Sequence, residues 1–266
     1  MFSGSVQPSI VSLFSSTGSQ PLSLFSVGVD STLPSDSFVQ LLSDATSLPA
    51  PPAPASLTSL PRTFGGENAD EPCTGKHIRQ TVLHIQSPTL RTTFIQCPPF
   101  LSPRVSDKGL ELKHTWLQIQ VRNLGREWSF EVGVVDKAGR EGVIRCSTFQ
   151  KCPAVGRNFS SVPVLHLPLA FPSSSNLLTP WSTITLHLPK FISYFASVSR
   201  GQQLQDDTRD DGVTSSSFHP LLPGGTYSHL TYVKIYATCR LRRIWLSDRA
   251  PSAEAPSPWE FELYGD

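Results

Sequence analysis

YVKIYATCRLRRIWLSDR, residues 232–249, alternates strictly over its first half. Val233, Ile235, Ala237, Cys239 and Leu241 share one face. Lys234, Tyr236, Thr238, Arg240 and Arg242 share the other. A period of two is that of a strand with one buried side. The segment therefore reads as one long strand. After Arg242 the phase changes, because Ile244 and Leu246 become the apolar pair. One extra residue near Arg242-Arg243 accounts for this, and a β-bulge there re-aims both side chains. Trp245 falls opposite Ile244 and Leu246.

The same period recurs upstream. TVLHIQ (81–86), TTFIQC (92–97), WLQIQVR (116–122), WSFEVGVVD (128–136), VIRCSTF (143–149), VLHLPLAF (164–171) and STITLHLPKF (182–191) all read as strands. Asp136-Lys137-Ala138-Gly139 closes a hairpin between two of them. SIVSLF (9–14) and PLSLF (21–25) are short apolar runs split by a turn, and WEFELY (259–264) reads as a final strand. KFISYFASV (190–198) is the one segment with helical spacing, through Phe191, Ile192, Phe195 and Val198. Many short strands with regular turns predict an all-β chain, an antiparallel β-sandwich or jelly roll.

Two segments interrupt the pattern. Residues 31–75 are rich in Ser, Pro and Ala and read as a disordered insertion, with at most a helical turn or two at 35–45. Residues 200–226 read as an acidic loop insertion, carrying Asp206, Asp207, Asp210 and Asp211. The predicted organisation is one β-sandwich domain from residues 1–30 and 76–266, with these two insertions.

The formal net charge is +1, so bulk charge favours neither nucleic acid nor membrane. No Lys or Arg precedes Arg62, which leaves the rest of the chain net positive. No apolar run reaches bilayer-spanning length, and the first residues lack a basic region followed by an apolar one. The expectation is a soluble intracellular protein. The five cysteines have irregular spacing and are expected as buried free thiols. Phosphate-binding loops, nucleophile elbows and zinc signatures are missing from the sequence. No catalytic residue, metal site or cofactor is expected. The acidic loop lacks the spacing of a calcium loop.

Lys234, Arg240, Arg242 and Arg243 on one face, with Arg249 beyond and Arg122 and Arg145 near, would form a basic stripe suited to carboxylates or phosphates. The alternative is a solvated face with local partners such as Asp248, Glu260 and Glu262. Trp245 is the candidate exposed aromatic. The five tryptophans would serve either as core or as a sugar-stacking platform.

CRLRRIWLSDR (239–249) followed by EFELY (260–264) resembles the C-terminal signature of the cilia- and flagella-associated protein 20 family, also called the Bug-twenty-two family. KHIRQTVLHIQ (76–86), LQIQVRNLGREWSFEVGVVD (117–136), WSTITLHLPKF (181–191) and HLTYVKIYATC (229–239) agree in order. The resemblance implies a jelly-roll sandwich similar to carbohydrate-binding modules, without a catalytic centre. It implies a structural protein of cilia, located in the axoneme or basal body. It further implies a place inside the doublet microtubule at the inner junction, contacting tubulin and a parkin co-regulated protein homologue. The arginine stripe, with Trp245 and Arg122, would be the contact face. The alternatives are a carbohydrate-binding or nucleic-acid-binding module, or a nuclear role. The two insertions depart from the family's compact pattern.

Overall fold

The computed structural model describes residues 6–49, 81–99, 109–158, 161–172, 179–206, 222–250 and 261. Two sheets face each other across a single large apolar core. The first holds β1 (Ile10–Ser15), β3 (Phe38–Ser43), β4 (Thr81–Gln86), β6 (Trp116–Asn123), β11 (Ser182–His187) and β13 (Cys239–Ser247). Its order is β11-β6-β13-β4-β3, with β1 also pairing with β13. The second holds β2 (Ser26–Gly28), β5 (Phe94–Cys97), β7 (Ser129–Asp136), β8 (Glu141–Ser147), β9 (Ala154–Arg157), β10 (Pro163–Pro168) and β12 (Tyr227–Tyr236), in the order β2-β5-β12-β7-β8-β10-β9. Pairing is antiparallel except for β8 with β10, which is parallel. The all-β sandwich expected from the sequence is the observed fold.

The alternating residues meet as their period requires. Leu117, Ile119 and Val121 of β6 and Leu241, Ile244 and Leu246 of β13 face the core with no exposure. Phe130, Val132 and Val134 of β7 and Val233 and Ile235 of β12 answer from the other sheet. Trp128 lies fully buried at one end and donates its indole N–H to the Tyr236 carbonyl at 2.9 Å, as a buried indole requires.

The bulge is where the phase change placed it. Leu241 pairs with Val121 and Arg243 with Gln120, which leaves Arg242 as the extra residue. The strand itself differs from expectation. Residues 232–242 are not one strand but the end of β12 and the start of β13, in different sheets. The chain changes sheets at Ala237-Thr238. Alternation survives the crossing because both strands point their apolar face into the same core, so pattern alone does not reveal it.

Two further segments correct the reading. Residues 38–43 form strand β3 and not a helical turn, paired with β4 from Phe38↔Gln86 to Ser43↔Thr81. The described part of the Ser/Pro region thus runs to residue 49, and residues 50–75 lie outside those described. The apolar residues of β3 have a partner distant in sequence, which local propensity does not register. The predicted helix exists and is longer: α1 spans Leu188–Asp206 and enters the segment expected as an acidic loop. Leu188, Ile192 and Phe195 seat it on the core. PLSLF (21–25) forms a turn leading into β2. The expected strand at 259–264 lies outside the described residues apart from Phe261, which sits in a 3₁₀ turn.

Candidate functional site

The outer face of the β1–β13 sheet carries the arginines. In register, Arg240 lies between Arg122 of β6 and His84 of β4, so two guanidinium groups are direct cross-strand neighbours. Like charges so placed repel. The counter-charge is Asp44, just past β3, whose side chain is fully buried. Arg240 Nη1 donates to Asp44 Oδ1 at 2.7 Å and to the Asp44 carbonyl at 2.8 Å. Arg122 Nη1 lies 3.4 Å from Asp44 Oδ2, and its Nε donates to the Thr179 carbonyl at 2.9 Å. Trp181 Nε1 donates to Asp44 Oδ2 at 2.8 Å. Arg240 Nη2 donates to Ser47 Oγ at 2.6 Å. Trp181 also packs with Leu42 and Val82 in a small separate apolar cluster on this outer face. The residues around 44–47 and 179–181 therefore cover the arginines.

His84 completes this row. Its ring stacks on Phe38 at 5.4 Å between centroids, its Nε2 meets Gln86 Oε1 at 2.9 Å, and Arg240 Nε approaches Nδ1 at 3.4 Å. Burial lowers its pKa most; the Gln86 contact opposes that and the Arg240 charge adds to it. The imidazole is held neutral, so Nδ1 is free to accept.

Across the bulge the pattern changes. Arg242 Nη1 donates to Gln120 Oε1 at 2.8 Å. Burial lowers the Arg242 pKa first and the neighbouring Arg243 charge second. The Arg243 guanidinium stacks on the Phe261 ring at 4.6 Å from its centroid, a favourable cation–π geometry. Phe261 also covers Trp245 at 5.1 Å, and its carbonyl accepts from Gln120 Nε2. Trp245 points outward, as the phase shift requires, yet is 4% exposed.

The structure thus divides the expected stripe. Arg122, Arg240 and Arg242 come together and are buried, Arg243 is half-buried, and Arg249 is exposed. Lys234 belongs to β12, on the outer face of the opposite sheet. Arg145 joins it there, paired with Glu131. The expectation of one continuous basic face fails because the strand that carries it changes sheets. The residues missed by sequence reasoning are Asp44, Ser47, Thr179 and Trp181. One signal for Asp44 existed: Gln40, Leu42 and Asp44 alternate on one side of FVQLLSD.

Trp128 and Trp181 are also buried. Trp116 is half-buried against His187 at 4.5 Å; Trp259 lies outside the described residues. The described tryptophans offer no coplanar exposed platform. Cys97, Cys146 and Cys239 are buried free thiols, whereas Cys152 is exposed. Cys73 lies outside the described residues. No cluster of potential metal ligands occurs among the described residues, and no described helix is long and apolar enough to cross a membrane.

Fold and faces define a two-sheet β-sandwich with an organised polar network on its outer surface. The CFA20 domain family matches residues 69–198. The chain is 27% identical to the cilia- and flagella-associated protein 20 of Chlamydomonas reinhardtii, over 72% of its own length and 77% of that protein. Against the Caenorhabditis elegans protein of the same name it is 26% identical, over 72% of each. The Paramecium tetraurelia protein of that name gives 26%, over 72% of this chain and 77% of the relative. The chain is thus similar to the CFA20 domain family over residues 69–198, and to proteins named cilia- and flagella-associated protein 20 over 72% of its own length.

Proposed function

We propose that this chain is a non-catalytic structural protein of the cilium or flagellum. It binds the doublet microtubule as an inner protein at the inner junction, stabilises the axoneme and supports motility. The observation that carries this reading is the alignment of 72% of the chain with relatives named for cilia and flagella. The all-β architecture is consistent with a rigid scaffold, since the core is continuous between the two sheets.

The contact residues differ from those the sequence suggested. Arg122 and Arg240 already hold a buried carboxylate, so pairing them with tubulin would require displacing Asp44. Arg249, exposed just beyond β13, is the basic group of this block presented for a partner's carboxylates. Complementary charge of this kind sets orientation and encounter rate more than affinity.

The test is co-sedimentation of the full chain with stabilised microtubules at low and high salt, with and without a parkin co-regulated protein homologue. Salt-sensitive pelleting that weakens in Arg249→Glu is the expected result. Absence of pelleting in every condition would overturn the reading. Carbohydrate binding is disfavoured by the buried tryptophans. Nucleic-acid binding is disfavoured by the burial of three arginines of the block.

A further inference from the structure

The opposite sheet has its own organised face. From the strand registers, Gln96, Lys234, Glu131, Arg145 and His166 form one row across β5, β12, β7, β8 and β10. In the next row Tyr232, Gly133 and Val143 lie side by side. A cleft of about 400 Å³ opens over these rows, lined among others by Gln96, Lys234, Glu131, Thr231, Tyr232 and Glu141. That volume lies in the range of small-ligand sites. Gly133 lets the Thr231 and Tyr232 side chains pack down onto β7 at the cleft wall: a Cβ there would meet Thr231 Oγ1 at 2.3 Å and the Tyr232 ring at 2.4 Å.

Charge within the cleft is unevenly satisfied. Glu131 accepts from Arg145 Nε at 2.7 Å, Tyr236 OH at 2.9 Å and Tyr232 OH at 3.3 Å. Its carboxylate is thus engaged by Arg145 and the two tyrosines that flank Lys234, and it makes no ion pair with Lys234 itself, although the two residues are cross-strand neighbours. Lys234 Nζ lies 3.7 Å from the Phe94 ring centroid and 5.0 Å from that of Tyr236. No hydrogen bond or ion pair joins it to any described residue. Among the described residues, the three donors on this half-buried ammonium thus meet ring faces and the cleft. Burial lowers the Lys234 pKa most, with Glu131 opposing and Arg145 adding to the effect. A charge desolvated in this way gains from an anionic partner.

We propose that this cleft is a binding site for a single carboxylate, received by Lys234 with Gln96 and Tyr232 beside it. Glu141 lines the cleft as well, which disfavours a polyanion and a phosphate cluster. The carboxylate belongs either to a small molecule or to an acidic side chain of a polypeptide; both present the same group. The site is independent of the microtubule reading, because it lies on the other sheet.

The experiment is NMR titration of the folded full chain, following the Lys234 side-chain ammonium. The probes are acetate, a capped glycine peptide with one central glutamate, and the same peptide with glutamine. Saturable shifts from the glutamate peptide, with none from the glutamine peptide, are expected. Lys234→Met, checked for an unchanged melting temperature, weakens binding about tenfold or more, whereas Lys190→Met leaves it unchanged. Shifts from both acetate and the glutamate peptide mean that a free carboxylate suffices; shifts from the peptide alone assign the site to a polypeptide. Equal response to the glutamine peptide, equal binding by Lys234→Met, or no saturation with either carboxylate probe would overturn the proposal.

Discussion

Arg240 and Asp44 stand 196 residues apart in the chain and 2.7 Å apart in the fold, with side chains 10% and 0% exposed. Two arginines and an indole converge on this one carboxylate. A buried charge left without its partner is expensive, far more so than the intact pair is stabilising.

Asp44→Ala therefore destabilises the protein by about 3–5 kcal/mol, because it removes the buried counter-charge of Arg240 and Arg122 and the acceptor of the Trp181 N–H together. Asp44→Asn retains an acceptor but not the charge, and loses a large part of the same stability. Urea unfolding monitored by circular dichroism measures both. A loss in Asp44→Ala smaller than about 1 kcal/mol, the scale of an exposed ion pair, would contradict the network described.

Stability falls at acid pH through two other carboxylates. Asp136 has its pKa lowered from 3.8 to about 2. Burial acts to raise it, but is outweighed by donation from the Arg140, Gly224 and Gly225 backbones and the Arg140 side chain. Asp30 is lowered to about 2 by the Thr32 hydroxyl and backbone, with Thr92 and Thr89. A folded pKa below the unfolded one contributes stability above the unfolded value, lost as pH falls through the folded one. The loss runs from about pH 4 to about pH 2. Denaturation midpoints across that window should decline, and Asp136→Asn should flatten the slope. An unchanged slope in the variant would remove Asp136 from this account.

Thiol chemistry distinguishes the cysteines. Burial raises the pKa of Cys97, Cys146 and Cys239 to about 12 in each case, and the thiolate is the reacting form. Iodoacetamide at pH 8 should label Cys152 in the native protein and spare these three until denaturant is added. Peptide mass spectrometry reads the result residue by residue. Native labelling of Cys239 would mean that the two sheets separate readily.

Helix α1 is held by a small number of side chains, chief among them Phe195, which is fully buried. Phe195→Ala should cost about 3–5 kcal/mol, as for other large aromatic truncations in cores. Gly142 faces it so closely that an added Cβ would meet the Phe195 ring at 2.8 Å. Gly142→Ala should therefore destabilise the wild-type protein, and less so once Phe195 is Ala, although the closer approach to Pro223 Cγ at 2.6 Å remains in both backgrounds. Additive losses, measured by thermal unfolding of both single variants and the double, would show that the two sites do not share this contact.

The parts of this fold that local pattern specifies were legible. Alternation gave β6, β7 and β13 their inward residues, and the phase change after Arg242 located the bulge to the Arg242-Arg243 pair. What local pattern cannot carry is the identity of a distant partner. The arginines read as exposed because the carboxylate that buries them sits in a Ser/Pro-rich stretch whose described strand is short. The change of sheet at Ala237-Thr238 was invisible for a related reason: inward-facing residues of both sheets serve the same core. That crossing separates Lys234 from Arg240 and turns one supposed stripe into two unrelated faces.

The central place of β13 has a consequence for how the protein is made. It pairs with β1, β4 and β6, all of which leave the ribosome before it. Until residues 239–247 emerge, β1 lacks its one strand partner among the described residues and an edge each of β4 and β6 stands unpaired. Unpaired edges recruit other strands, and long-range pairings form slowly. The nascent chain thus carries an aggregation hazard that translation through β13 removes.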